Sequence, residues 1–112
     1  MIKIAVDCMG SDNGPKVICE AILNFLKLHD NVFIYACGNV EDLESLKNNE
    51  RIEIVPSTQI VPMECGAMQV MRMRDSSMMK VFDIYKEKNI DAAVSAGSTG
   101  GFLSLATLKL RL

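Results

Sequence analysis

Several things this chain lacks narrow its character. Twelve Lys and Arg stand against fourteen Asp and Glu, for a net charge of −2. No basic run gives the electrostatic footprint of a DNA- or RNA-binding surface, so no nucleic-acid partner is expected. No apolar stretch approaches the ~18 residues of a membrane span. The opening "MIKIAVDCMG" has one lysine before an apolar run too short and too β-branched for a secretory leader, so a cytoplasmic protein is expected. Cys8, Cys19, Cys37 and Cys65 form no CxxC pair and have only His29 as an imidazole companion. A metal site is therefore not expected, and free thiols in a reducing compartment are the simpler reading. The chain also lacks an internal repeat, a linker, a Walker A loop and a G-x-G-x-x-G fingerprint.

What is present suits a packed domain. With 112 residues, 49% hydrophobic and 23% charged, the composition is near the globular average. A single domain of this size buries roughly two-thirds of its unfolded surface.

"IKIAVDC" at 2–8 is a continuous, β-branched apolar run, predicting a strand covered on both faces. After "MGSDNG", Pro15 suits a first helical turn. Ile18, Ala21, Ile22, Phe25 and Leu26 then fall at i, i+3, i+4, i+7 and i+8, an apolar stripe for packing on a sheet. "VFIYACG" at 32–38 predicts a second buried strand, and "NVEDLESLKNN" a short amphipathic helix capped by Asn39. "RIEIV" at 51–55 alternates charged and apolar residues, as an edge strand does, and Pro56 and Pro62 discourage further pairing. "ECGAMQVMRMR" reads as a short helix. Ser76 is placed to cap another through about Glu87, with Met78, Met79, Phe82 and Tyr85 inward. "DAAVSA" at 91–96 predicts a fourth buried strand.

The helical pattern over 100–112 differs from the rest. Phe102, Leu103, Leu105, Ala106, Leu108, Leu110 and Leu112 surround it, leaving only Lys109 and Arg111 charged. No single sheet face can bury such a helix.

Alternating strands and helices predict an α/β fold, a three-layer α/β/α arrangement on a parallel sheet. With "RIEIV" at the edge and right-handed crossovers, the expected strand order is 3-2-1-4. That order places a topological switch point between the first and fourth strands, where α/β proteins open a crevice beyond the strands' carboxyl ends.

The loops meeting there are "DCMGSDNGP" and "SAGSTGG". Glycine permits close backbone approach, and free N–H groups at a helix start favour an anion. "AGSTGG" is thus either a phosphate or carboxylate cradle, with hydroxyls from Ser98 and Thr99, or simply a tight strand-to-helix turn. In "RMRDSSMM", Arg72 and Arg74 precede two hydroxyls at a helix start. These groups either converge on an oxyanion or make a capped helix with a solvated arginine pair. Asp7 and Asp12 suit proton transfer, a lysine partner or turn chemistry. The methionines, Met63, Met68, Met71 and Met73 among them, suit a pliable surface for a lipid chain or ordinary core filling.

Three segments together resemble the PlsX family, the acyl carrier protein:phosphate acyltransferases of bacterial phospholipid synthesis. "IAVDCMGSDNGPKVI" is similar to the family's opening "VDAMGGDxxP", and "RDSSMMKVFDIYKEKNIDAAVSAGSTG" to its "KDSSM…DAxVSAGNTGA". "RIEIVPSTQIVPMEC" matches the strand and tail between them. Departures are Cys8 for alanine, Ser11 for glycine, Ser98 for asparagine and Gly101 for alanine. The resemblance implies that inorganic phosphate attacks an acyl carrier protein thioester to give an acyl phosphate, without a cofactor or metal.

Asp7, Gly10, Asp12, Arg74, Ser76, Ser77, Ser95, Gly97, Ser98, Thr99 and Gly100 are the candidate substrate-binding positions, with the catalytic residues unassigned. Family chains run to about three times this length, so residues 1–112 read as a single α/β portion, an amino-terminal third. By itself it is expected to be inactive, and the alternatives to an enzyme portion are a non-catalytic α/β anion-binding domain or an inactive truncated product. The resemblance further implies a homodimer in the full-length form, and peripheral membrane contact through regions outside these residues.

Overall fold

The computed structural model describes residues 1–110. Four strands, β1 (Ile2–Asp7), β2 (Val32–Gly38), β3 (Ile52–Pro56) and β4 (Ala92–Ser95), form one sheet in the order β3-β2-β1-β4. Every pairing is parallel. Helices α1 (Pro15–Leu28), α2 (Ala67–Arg72), α3 (Ser77–Glu87) and α4 (Thr99–Leu110) flank it. The expected α/β class and strand order both hold. Arg111 and Leu112, which complete the expected last helix, lie outside the described residues.

Side-chain alternation along the central strands divides the core. Val6, Ile34 and Ala36 face α1, packing with Cys19, Ile22, Leu26, Leu43 and Leu46. Ala5, Tyr35 and Cys37 face α3, packing with Val81, Ile84 and Ile90. A third cluster lies beyond α3, where Val70, Met78, Met79, Phe82 and Leu105 pack together with Val61 and Cys65.

α3 follows its predicted signal. The Ser76 hydroxyl accepts the Met79 N–H at 3.0 Å, satisfying a donor at the helix start. Met78, Met79 and Phe82 are buried as expected, and Tyr85 is half-buried. Val81 and Ile84 are buried too, because α3 is covered by the sheet on one side and α4 on another.

Four local expectations change. Residues Val40–Leu46 form a 3-10 helix rather than a regular α-helix, with non-helical backbone at Leu43. Asn39 has the extended backbone of a cap, but its side chain caps nothing. In α1 the buried residues are Cys19, Ile22 and Leu26, whereas Ala21 and Phe25 are exposed. The sheet runs under one flank of the predicted stripe, and the other flank overhangs.

β4 is not the fully buried strand its composition suggests. Ala92, Ala93 and Ser95 are half-buried and Val94 is 50% exposed, because no strand lies beyond β4 among the described residues. α4 packs chiefly on α2 and α3. Phe102 stacks obliquely on Phe82, with ring centroids 5.0 Å apart, and Leu105 is fully buried, while Leu103 and Leu108 face solvent. The all-round apolar helix is thus satisfied on part of its circumference only. Among the described residues, no helix is long and apolar enough to cross a membrane.

Candidate anion site at the switch point

The site begins with strand register. Asp7, the last residue of β1, lies opposite Cys37 of β2 and Ser95 of β4. Its side chain points toward the α3 face, as Ala5 does two residues earlier. There Asp7 Oδ1 accepts from Ser77 Oγ at 2.5 Å and from the Met9 N–H at 3.0 Å. Oδ2 accepts from Ser95 Oγ at 2.9 Å, and Ser95 Oγ itself accepts the Gly97 N–H at 3.0 Å. One buried carboxylate therefore ties the exits of β1 and β4 to the start of α3. Burial pushes the Asp7 carboxyl above its ordinary range, opposed by hydrogen bonds from Ser77, Met9 and Ser95 that favour the charged form.

Three loops converge above this carboxylate. Gly10 has φ +83°, a backbone state that strains any side-chain-bearing residue. A Cβ there would lie 3.5 Å from Val61 O and 3.7 Å from Gly97 Cα, so the loops after β1, β3 and β4 meet at this glycine. Gly97 is tighter. A Cβ would stand 3.3 Å from Met78 Cε and Ser95 Oγ, and 3.5 Å from Asp7 Oδ2. Glycine at 97 lets the "SAGSTGG" loop press onto the Asp7 cluster.

Ser98 is buried, and its hydroxyl accepts the Gly101 N–H at 3.0 Å, while Gly101 packs against Val61 and Met78. Its oxygen serves the α4 start instead of reaching outward. Thr99 and Gly100 are exposed, and their N–H groups belong to the first turn of α4, which has no carbonyl ahead of it to bond.

The structure thus gathers Asp7, Gly10, Ser77, Ser95, Gly97, Ser98, Thr99 and Gly100 at the carboxyl end of the sheet. Three candidates stand apart from that cluster. Asp12 is exposed in the turn before α1. Ser76 is spent as the α3 cap. Arg74 is exposed and lines a separate groove with Arg72, Met68, Met71 and Leu108. Met78 and Met79 are core residues, whereas Met63 and Met68 are largely exposed.

The segment after β3 makes contacts that no local pattern marks. Thr58 and Gln59 N–H groups donate to the Asp75 carbonyl at 3.0 and 3.1 Å, and Gln59 O accepts the Ser77 N–H at 3.2 Å. Thr58 Oγ1 and Lys80 Nζ both engage the Asp75 carboxylate, holding it below the usual range. Asn39 Oδ1 and Ser57 Oγ, just beyond β2 and β3, are buried without a hydrogen-bond partner among the described residues. Asn39 carried only a capping signal, and Ser57 none beyond being a small polar residue after an apolar strand. No cluster of three His, Cys, Asp or Glu side chains suited to a metal occurs among the described residues.

A family model described as fatty acid synthesis protein matches residues 2–112. The chain belongs to this family, the PlsX family. It is 37% identical over 113 residues to a phosphate acyltransferase of Aliarcobacter butzleri and 40% identical over 114 residues to one of Wolinella succinogenes. A phosphate acyltransferase of Thermosipho africanus is 35% identical over 107 residues. These alignments cover 98%, 98% and 96% of this chain but only 34%, 34% and 33% of the relatives. The chain therefore spans about a third of the length of the curated relatives it matches. The family model carries the description of a fatty acid synthesis protein, and these relatives the name phosphate acyltransferase.

Proposed function

We propose that this chain supplies the phosphate-binding part of a cytoplasmic enzyme that moves a fatty acyl group from acyl carrier protein to inorganic phosphate. The observation that carries this reading is the convergence of the loops after β1, β3 and β4 on the Asp7 cluster, beside the exposed first turn of α4. Phosphate seated on the Thr99 and Gly100 N–H groups, with the Thr99 hydroxyl alongside, gains the favourable end of the helix dipole. Held there, one phosphate oxygen attacks the thioester carbonyl carbon, the C–S bond breaks with its electron pair on sulfur, and an acyl phosphate leaves. A thiol of ordinary pKa near 8.5 departs as thiolate with little need of a proton. Catalysis is then mostly proximity and stabilisation of the oxyanion.

Asp7 holds the loops in this reading and does not touch substrate, since its oxygens are engaged by Ser77, Ser95 and Met9. Arg74, on the α2–α4 side, is a candidate for the second substrate's acidic groups. Dimerisation and membrane contact belong, in this reading, to the portion of the enzyme beyond the matched third.

Phosphate titration followed by amide NMR tests the cradle. The Gly97, Thr99 and Gly100 amides should shift in a saturable way. Saturable shifts elsewhere, with these three unmoved, overturn the assignment. The matched third alone should show no turnover, because the uncovered β4 and α4 surfaces leave the crevice walled on one side only. Turnover by a soluble, cooperatively melting monomer of this chain would refute that.

A further inference from the structure

A groove of about 370 Å³ opens on the α1 face of the sheet. Its walls are Ile4, Val6, Ile18, Ala21, Phe25 and Val94, and it ends at Asp7, Ser95 and Ala96, where the anion-site loop begins. The fold explains why it is open. α1 covers β1 and β2 but overhangs β4, so Val94 and one flank of α1 face each other across uncovered sheet. Its volume falls within the roughly 300–1,000 Å³ of small-molecule sites, and its body is aliphatic with polar groups at one end only.

We infer that this groove holds the hydrocarbon chain of the transferred acyl group, with the carbonyl end at Ser95 and Ala96. The inference rests on the function proposed above and gives it a substrate subsite. The argument is continuity: a transferred acyl carbon must lie within bonding reach of the phosphate, so its chain has to leave the cradle through an adjoining apolar space. Ser95 belongs to both places. Its hydroxyl bonds Asp7 Oδ2 and the Gly97 N–H beneath the cradle, and the residue also closes the end of the groove. Ala21 and Phe25 then set the length of chain accepted, because they stand on the α1 wall and their exposed side chains can change size without disturbing the core.

The test uses the 112-residue chain with spin-labelled stearate as the probe and methyl NMR as the readout. Paramagnetic broadening should centre on the methyls of Ile4, Ile18 and Val94. In competition, palmitate should displace the probe better than decanoate. Ala21→Phe should weaken palmitate about tenfold while leaving decanoate within twofold, the effect of denying roughly two methylenes their burial. Phe25→Ala supplies a second variant acting in the opposite direction, moving the optimum toward longer chains.

Broadening on other methyls, or chain-length preference unmoved by both variants, overturns the inference. So does a second copy of the chain protecting the same methyls and excluding the probe. Phosphate shifts at Gly97, Thr99 and Gly100, recorded in the same sample, report separately on the cradle, so either reading can fail without the other.

Discussion

Replacing Asp7 by alanine should damage the fold more than its size suggests, and the structure says by how much. The side chain is 2% exposed and accepts three hydrogen bonds. The Ser77 and Ser95 hydroxyls can turn toward other acceptors, but the Met9 N–H is fixed by the backbone and would be left buried and unpaired. Leaving one such donor unmet costs about 1–3 kcal/mol, and losing two further bonds raises the total to about 2–4 kcal/mol after the relief of burying a charge. Asp7→Asn keeps an acceptor for Met9 and Ser77, so it should cost less than about 1.5 kcal/mol.

Urea unfolding at low protein concentration measures both. With a slope of about 1–3 kcal/mol per molar, Asp7→Ala should lower the midpoint by about 1–3 M and Asp7→Asn by well under half of that. The pH dependence is a second readout. Because the folded pKa of Asp7 is raised, the native state binds the proton more readily than the unfolded chain. Stability from this group is full below the ordinary carboxylate pKa and declines as pH rises through the folded value. Asp7→Asn removes that decline. Equal losses for Ala and Asn, or an unchanged pH profile in Asn, would refute the reasoning.

Three other outcomes follow from local geometry. Gly10→Ala imposes a side chain on φ +83°, so about 1–2 kcal/mol of stability should be lost and the phosphate shifts at Gly97 weakened. An intact melting curve with normal shifts counts against the loop packing. Ser76→Ala removes the α3 cap and should cost about 1 kcal/mol, whereas Arg74→Ala, at an exposed position, should leave the melt unchanged. Cys8 and Cys37 are buried and free, and burial pushes the Cys37 thiol up to about 12 and Cys8 higher. Both should resist iodoacetamide in the native protein and react once urea unfolds it; rapid native labelling would show that the sheet core opens.

The framework was legible because its signals are local or periodic. Apolar runs gave the strands, the charged alternation of "RIEIV" gave the edge, and handedness then left few orders, of which 3-2-1-4 fits best. Cap placement was legible only in part. Ser76 and Asn39 both precede a helical turn in extended backbone, but Ser76 accepts a helix N–H and Asn39 does not. Which outcome occurs depends on the following turn, and after Asn39 that turn winds as a 3-10 helix.

Burial was the least legible property, because it depends on what lies across the surface. "AAVS" and the α1 stripe look alike to a pattern count whether covered or bare. The glycines of "SAGSTGG" pointed to close backbone approach, and Gly97 shows it. Nothing in sequence marked the approached group as the Asp7 carboxylate, since register between β1 and β4 makes that contact across 88 residues.

The two edges of the sheet differ in a way that bears on the site. β3 exposes Glu53 and ends at Pro56, features that discourage another strand from pairing. β4 has the sequence "AAVS", with neither charge nor proline to protect it. Apolar side chains are exposed on both sides of the molecule, Val94 of β4 toward α1 and Leu103 and Leu108 on α4. Each uncovered leucine forgoes on the order of 2 kcal/mol of burial, a sizeable share of a small domain's stability. Two-thirds of the relatives' length lies outside the region this chain matches. A strand added beside β4 would extend the sheet in its plane and, in the proposed reading, wall the open side of the crevice. In the proposed reading, completing the fold and completing the site would be a single event, because β4 carries both the unprotected edge and Ser95 at the end of the groove.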